Sequence, residues 1–232
     1  MNASQAQDGF AGKLEAIRAE LSAQGTRVLV ICEAGFDAFF ADDVDAAKTA
    51  IDLDDPIDRA DVELENACVE LLCDASREQR ELAPAQLREV LVAAKANNEL
   101  ERIADCAVTI AEQVVRREGA ELPNTLRVLA NSVLGVVRDA QTCLDDRDAD
   151  LAKQVLRSED TILGFKQAVR DAAEKAIAAG TMTVQTGFVL HELASACEHM
   201  ADHATNIAEQ VLYAVTGTIV RHCETGWIEI NL

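Results

Sequence analysis

Residues 100–114 read LERIADCAVTIAEQV and residues 197–211 read CEHMADHATNIAEQV. Aligned without a gap, the two stretches share Glu, Ala, Asp, Ala, Ile, Ala, Glu, Gln and Val. Self-similarity at long range marks a duplicated supersecondary unit. Within each copy the apolar residues recur three and four positions apart, the period of a helix with one buried face.

That period continues outward from the repeat over residues 10–217 and resolves into six helices, at about 10–41, 44–77, 84–119, 123–144, 148–179 and 181–216. Leu14, Ile17, Leu21, Val28 and Ile31 form the inward face of the first. Gly119, Gly180 and Gly217 stand where left-handed C-terminal caps are expected. Pro56, following Asp54 and Asp55, interrupts the second helix. It either kinks that helix, or breaks it so that a new one starts with Asp55 as N-cap and Pro56 in the first helical position. Each copy of the repeat closes a set of three helices. The expected fold is therefore all-α: two tandem three-helix bundles related by internal duplication, at residues 1–120 and 121–217, followed by a tail at 218–232. The alternation WIEINL in that tail suits a short strand or an extended strap.

Composition agrees. The chain of 232 residues is 49% apolar but only 3% aromatic, with three prolines and eleven glycines, too few rings and turn residues for an all-β sandwich. Twenty-one basic and 41 acidic residues give a net charge of −20, which disfavours nucleic acid and anionic membrane as partners and favours cations or a basic protein surface. No apolar run approaches the roughly eighteen residues of a spanning helix, and the start MNASQAQDGF has neither the basic nor the apolar region of an export signal. The expectation is a cytoplasmic protein with no direct membrane insertion. Seven cysteines, an odd number without a CxxC, read as small buried hydrophobes in place of a disulfide framework or zinc knuckle.

The repeat also carries chemistry. Glu101 with Asp105, and Glu198 with Asp202, each lie four apart, so each pair projects from one helix face. Thr109 and Glu112 extend the first face; Asn206 and Glu209 extend the second. Asp54 and Asp58 repeat the spacing on the second helix, extended by Asp61 and Glu65. Between Asp42 and Glu65 ten acids are offset only by Lys48 and Arg59. Like charges at this spacing destabilise a helix by about 0.2–0.5 kcal/mol, and a bound cation would remove the penalty, carboxylate oxygens being ligands for hard and borderline metals. If the second and third helices pack side by side, Asp54, Asp58, Glu101 and Asp105 converge. The alternative is a solvated acidic face with Arg59 and Arg102 as neighbours.

Other chemistries find less support. No histidine has a Glu three residues before it, against a ferritin-like di-iron enzyme. His199 and His203 lie four apart without the Glu of H-E-x-x-H. His199 reads as solvent-facing, whereas His203 adjoins the carboxylate face. Phosphate loops and nucleophile elbows are absent, so no catalysis is expected.

The strings ELERIADCAVTIAEQV and MADHATNIAEQVLYAVTG resemble the two signature helices of the PhoU family of phosphate-transport regulators. The likeness runs through LDDPIDRADVELENACVELL and APAQLREVLVAAKANNELERIAD to Gly217. It implies two three-helix bundles, in some members with multinuclear iron or zinc clusters held by paired E(D)xxxD motifs. By position the first bundle's ligands would be Asp54, Asp58, Glu101 and Asp105. In the second, Glu198 and Asp202 match and Glu159 stands at the first position of the partner helix, with His203 and Asn206 as further candidates, but Leu163 falls where a carboxylate belongs. The resemblance further implies a non-enzymatic, homodimeric negative regulator that links a phosphate ABC transporter, through its ATPase subunit, to a sensor histidine kinase. The other expectation is a metal-binding helical interaction protein with no connection to phosphate.

Overall fold

The computed structural model describes residues 3–117, 121–223 and 226–230. Its first unit comprises α1 (Ala3–Ala41), α2 (Val44–Ile51), α3 (Asp54–Arg77) and α4 (Pro84–Glu112), the last ending in a 3₁₀ turn at Gln113–Arg116. The second repeats this order as α5 (Asn124–Asp146), α6 (Ala149–Leu156), α7 (Glu159–Ala178) and α8 (Val184–Thr216). A hairpin, β1 (Ile219–Cys223) and β2 (Gly226–Ile230), follows. Its antiparallel register pairs His222 with Trp227, so the alternating tail is a strand pair.

The duplication is visible in the corners. Asp42 and Arg147 both take left-handed backbone, with φ of 58° and 54°. The next residues, Asp43 and Asp148, are N-caps. Asp43 Oδ1 accepts from the amides of Asp45 and Ala46 at 3.0 and 2.9 Å; Asp148 Oδ1 accepts from Asp150 and Leu151 at 2.9 and 3.0 Å. Each cap satisfies amide donors that the first turn of its helix leaves unpaired.

Both units differ from the expected three helices in the same way. The second expected helix breaks at Asp52–Leu53, not at Pro56, and Pro56 sits in the third position of α3, where a missing N–H breaks no intrahelical bond. Leu53 is the N-cap, in place of Asp55. The fifth expected helix also breaks, at Arg157–Ser158, with no proline to mark it. At both corners the chain keeps right-handed helical dihedrals but switches to tighter bonds, Leu53 N to Ala50 O at 3.1 Å and Ser158 N to Val155 O at 3.0 Å. Apolar periodicity passes through such a corner unchanged. The first helix begins before residue 10, at Ala3, and Pro123 is the N-cap of α5. Gly180 and Gly217 hold the expected positive φ, 70° and 74°; Gly119 and the expected boundary at residue 120 fall outside the described residues.

The repeat helices α4 and α8 lie at the centre and pack against each other more extensively than any other pair. Both are rich in buried small residues: Ala96, Ala104, Ala107 and Ala111 on α4, and Ala194, Ala201, Ala204 and Ala208 on α8. Short side chains let the two backbones approach, and few aromatics are needed to fill the space. One continuous core runs from Phe10 to Val220 through both units. Cys32, Cys68, Cys143 and Cys197 are buried and Cys73 is exposed.

Candidate functional site

The seam between α3 and α4 positions the first carboxylate group. Two buried amides fix α3 there. Gln24 on α1, fully buried, donates from Nε2 to the Ile57 carbonyl at 2.8 Å. Asn97 on α4 donates from Nδ2 to the Asp61 carbonyl at 3.0 Å and to Asp61 Oδ1 at 2.6 Å. With α3 packed against α1 and α4, Asp54, Asp58, Glu101 and Asp105 lie along the α3–α4 seam. Asp58 and Asp105 are exposed; Asp54 and Glu101 are half-buried.

The electrostatics show that the four act on one another. Burial, then the charges of Asp58, Asp105 and Asp55, push the Asp54 carboxyl up to about 6. This occurs in the first turn of α3, where the helix dipole favours a negative charge, so desolvation and like charges win. Burial and Asp105 likewise raise Glu101, against the opposing pull of Arg102. Burial, Glu65 and Asp58 raise Asp61. The basic neighbours do not neutralise the group: Arg59 donates to the Asp55 carbonyl at 3.2 Å, and exposed Arg102 stands 3.7 Å from Glu101 Oε2. Asp54 Oδ1 is buried with no hydrogen-bond donor.

A measurable consequence follows. An unfolded Asp titrates near 3.9, so between about pH 4 and 6 the folded chain holds the Asp54 proton more tightly than the unfolded one. Stability from this residue is present below about pH 4 and is lost as pH rises to 6. The full shift converts to about 3 kcal/mol, but solvent screens a half-exposed group, and about 1 kcal/mol is the realistic share. In chelator, Asp54→Asn should therefore raise the melting temperature by about 2–4 °C at pH 8 and leave it unchanged at pH 4. An equal shift at both pH values would refute the assignment.

The second unit is arranged differently. Glu198 Oε2 accepts a hydrogen bond from the Lys166 ammonium on α7, a pair whose side chains are only 16% (Lys166) and 22% (Glu198) exposed. Burial and Glu198 raise Asp202, while His199, His203 and Lys166 oppose them. Glu159 is half-buried at the start of α7, and Leu163 is exposed. His203 and Asn206 do not face this group. His203 Nδ1 lies 2.7 Å from Glu99 Oε2, and Asn206 Nδ2 donates to the same oxygen at 3.1 Å. Burial alone would raise Glu99, but the hydrogen bonds from His203 and Asn206 outweigh it and hold the carboxyl below its usual value. Glu99 thus fastens α4 to α8 beside a polar cleft of about 680 Å³ lined by Asp61, Glu65, Asn97, Glu99, Asn206 and Gln210. His199 is exposed, as expected.

As metal ligands the two halves differ. Among the described residues, no three His, Cys, Asp or Glu side chains already close on one point. The first half nevertheless has the donor chemistry a metal needs: four carboxylates, one with an orphaned buried oxygen, beside an exposed Arg102 that stands 3.7 Å from Glu101 Oε2. The second half does not fit, because an ammonium already occupies the carboxylate pair. Thiols do not compensate, since burial pushes Cys106 up to about 12 and raises Cys32 and Cys197 as well, leaving them protonated and poor ligands. Lys166 was legible had the Asp54–Asp58–Asp61 face been read at the same spacing in the second unit. Glu99 gave no signal, because its place in the other repeat copy is Ala196.

Comparisons with known proteins agree with this duplicated frame. A family model described as PhoU domain matches residues 24–114 and again 126–211, one match per unit. The phosphate-specific transport system accessory protein PhoU homolog of Pseudomonas putida is 31% identical over 218 residues, spanning 92% of this chain and 83% of that protein. The crystal structure of PhoU from Pseudomonas aeruginosa superposes with a TM-score of 0.84 at 26% identity, over 90% of this chain and all of the other. That of the phosphate transport system regulatory protein PhoU from Streptococcus pneumoniae gives 0.83 at 21% identity, over 91% and 99% of the two chains, a likeness of fold. No helix among the described residues is long and apolar enough to cross a membrane.

Proposed function

This chain belongs to the PhoU family of phosphate-transport regulators, and from that membership we propose that it is a cytoplasmic, non-enzymatic adaptor. It restrains phosphate uptake and the phosphate-starvation response by linking the ATPase subunit of a phosphate ABC transporter to a sensor histidine kinase, and it acts as a homodimer. The observation that carries this reading is the match of both units to the family, together with a likeness that spans 92% of this chain and 83% of a relative named as an accessory protein of the phosphate-specific transport system. The net charge of −20 supports it. An acidic helical surface steers basic patches of a partner toward it and sets encounter rate and partner choice more than affinity.

In the same reading, Asp54, Asp58, Glu101 and Asp105 hold a carboxylate-bound metal, iron or zinc, as a multinuclear centre. Bound there, the metal would neutralise the charges that now raise Asp54 and Glu101 and cross-link α3 to α4. Oxygen-only donors suit a hard cation, and zinc also accepts Asp and Glu. Its role is structural or sensory.

Deleting the gene should derepress phosphate-starvation genes in phosphate-rich medium, read as reporter transcription, and a wild-type copy should restore repression. Unchanged expression, together with a pull-down that retains neither the ATPase subunit nor the kinase, would overturn the adaptor reading and favour a helical interaction protein unrelated to phosphate.

A further inference from the structure

We propose that Lys166 is a built-in cation that closes the second unit to metal, so that this chain has a single metal-competent half. The inference rests on the reading of the α3–α4 carboxylates as ligands. On α3 the residues at the seam are Asp54, Asp58, Asp61 and Glu65. The N-caps Asp43 and Asp148, and the first residues of α3 and α7, Asp54 and Glu159, are each 105 residues apart. The same displacement brings Leu163, Lys166 and Arg170 to the places of Asp58, Asp61 and Glu65. An entirely acidic face in the first unit is therefore replaced by one acid, one apolar residue and two cations in the second.

Geometry completes the case. The repeat-derived pair Glu198 and Asp202 is present on α8 in both residue type and spacing, so the second unit keeps half of a carboxylate set. What faces it is the Lys166 ammonium, hydrogen-bonded to Glu198 Oε2 with its stem packed away from solvent. An ammonium offers three donors and no acceptor. It satisfies carboxylate oxygens as a metal would, but it repels a divalent ion and contributes no ligand. Leu163, 41% exposed on that face, adds none either. The first unit has the reverse arrangement: Asp54 keeps an orphaned oxygen, and the cation beside Glu101 is an exposed Arg102 at 3.7 Å, not a buried, hydrogen-bonded ammonium. Each half thus meets the like-charge repulsion of its repeat by a different cation, external in the first and covalently attached in the second.

The test uses the full chain with Glu101→Ala and Asp105→Ala, which removes the first half and isolates the second. Calorimetric titration of this variant with Mn²⁺ should show no binding tighter than millimolar. Adding Lys166→Asp with Leu163→Asp should restore a carboxylate set and tighten Mn²⁺ binding by about 10- to 100-fold, the range over which a change around a metal site moves affinity. Lys166→Met in the wild-type chain guards against misfolding of the multiple variant. Its melting temperature should fall in chelator, where Glu198 and Asp202 lose their counter-charge, and recover with Mn²⁺, the recovery persisting when Glu101→Ala and Asp105→Ala are also present. Tight binding by the second half with Lys166 intact, or no gain of Mn²⁺ dependence on its removal, would overturn the proposal. If Lys166→Met gains that dependence while the wild-type first half binds nothing, the role of Lys166 stands and the metal reading of the first half fails.

Discussion

Replacing Gly35 with leucine should destabilise the chain by about 3 kcal/mol and lower its melting temperature by about 6–12 °C. Gly35 lies on α1 where that helix crosses α4, among Ile31, Cys32, Phe36 and Ala38, all buried. A Cβ at this position would stand 3.0 Å from the Ala107 carbonyl oxygen. That oxygen belongs to the helical backbone of α4, which cannot yield as the end of a flexible side chain would. Helix propensity pulls the other way, since a larger residue gains up to about 1 kcal/mol over glycine in a helix interior. Overpacking typically costs 1–3 kcal/mol and occasionally more, and a four-carbon side chain facing fixed backbone belongs at the upper end, so packing wins. Gly135→Ala on α5 is the control. Nothing lies within 4 Å of its added Cβ, and it should stabilise by up to about 1 kcal/mol. Chemical denaturation of both variants decides; a neutral Gly35→Leu would mean that α1 and α4 are not in close contact there.

Gly35 also shows where a sequence stops being legible. The duplication could be read because selection of the same buried face in two helices leaves the same letters, so Ile103, Ala104 and Ala107 reappear in kind as Met200, Ala201 and Ala204. The left-handed caps at Gly180 and Gly217 were legible for a local reason, the tolerance of glycine for positive φ. Arg147 does the same work at φ 54° without the residue type that announces it. The corner at Arg157–Ser158 left no mark, because its dihedrals stay helical and its neighbours Val155, Leu156 and Ile162 keep one buried face.

The candidate site divides along the same line. Asp54, Asp58, Glu101 and Asp105 could be grouped from spacing on two helices that then proved adjacent. Asn206 was grouped with Glu198 and Asp202 by four-residue spacing and His203 by adjacency to that face, but spacing within one helix does not say which neighbouring helix supplies a side chain's partner. Their partner, Glu99, is 104 and 107 residues away in sequence, a distance at which only the packing of α4 on α8 decides who meets whom.

The largest functional effect should appear at the first half. Glu101→Ala with Asp105→Ala should cut bound metal from about one centre per chain to below about a tenth of that, because two of four carboxylate ligands disappear and the loss of even an outer partner of a metal site costs about 10- to 100-fold in affinity. Glu198→Ala with Asp202→Ala should leave the content unchanged. Loss of fold does not explain the first result, since removing like charges four apart relieves about 0.2–0.5 kcal/mol, and Asp105 is exposed with Glu101 only half-buried. The metal-free double variant should therefore melt at or above the metal-free parent. Reconstituting the chain with iron or zinc after chelation, and measuring metal per chain by elemental analysis beside the melts, separates the outcomes. Equal loss from both pairs would make the halves equivalent and contradict the Lys166 pairing. Less than one metal per several wild-type chains, unaltered in either variant, would leave the four acids as a solvated face whose charge serves partner choice alone.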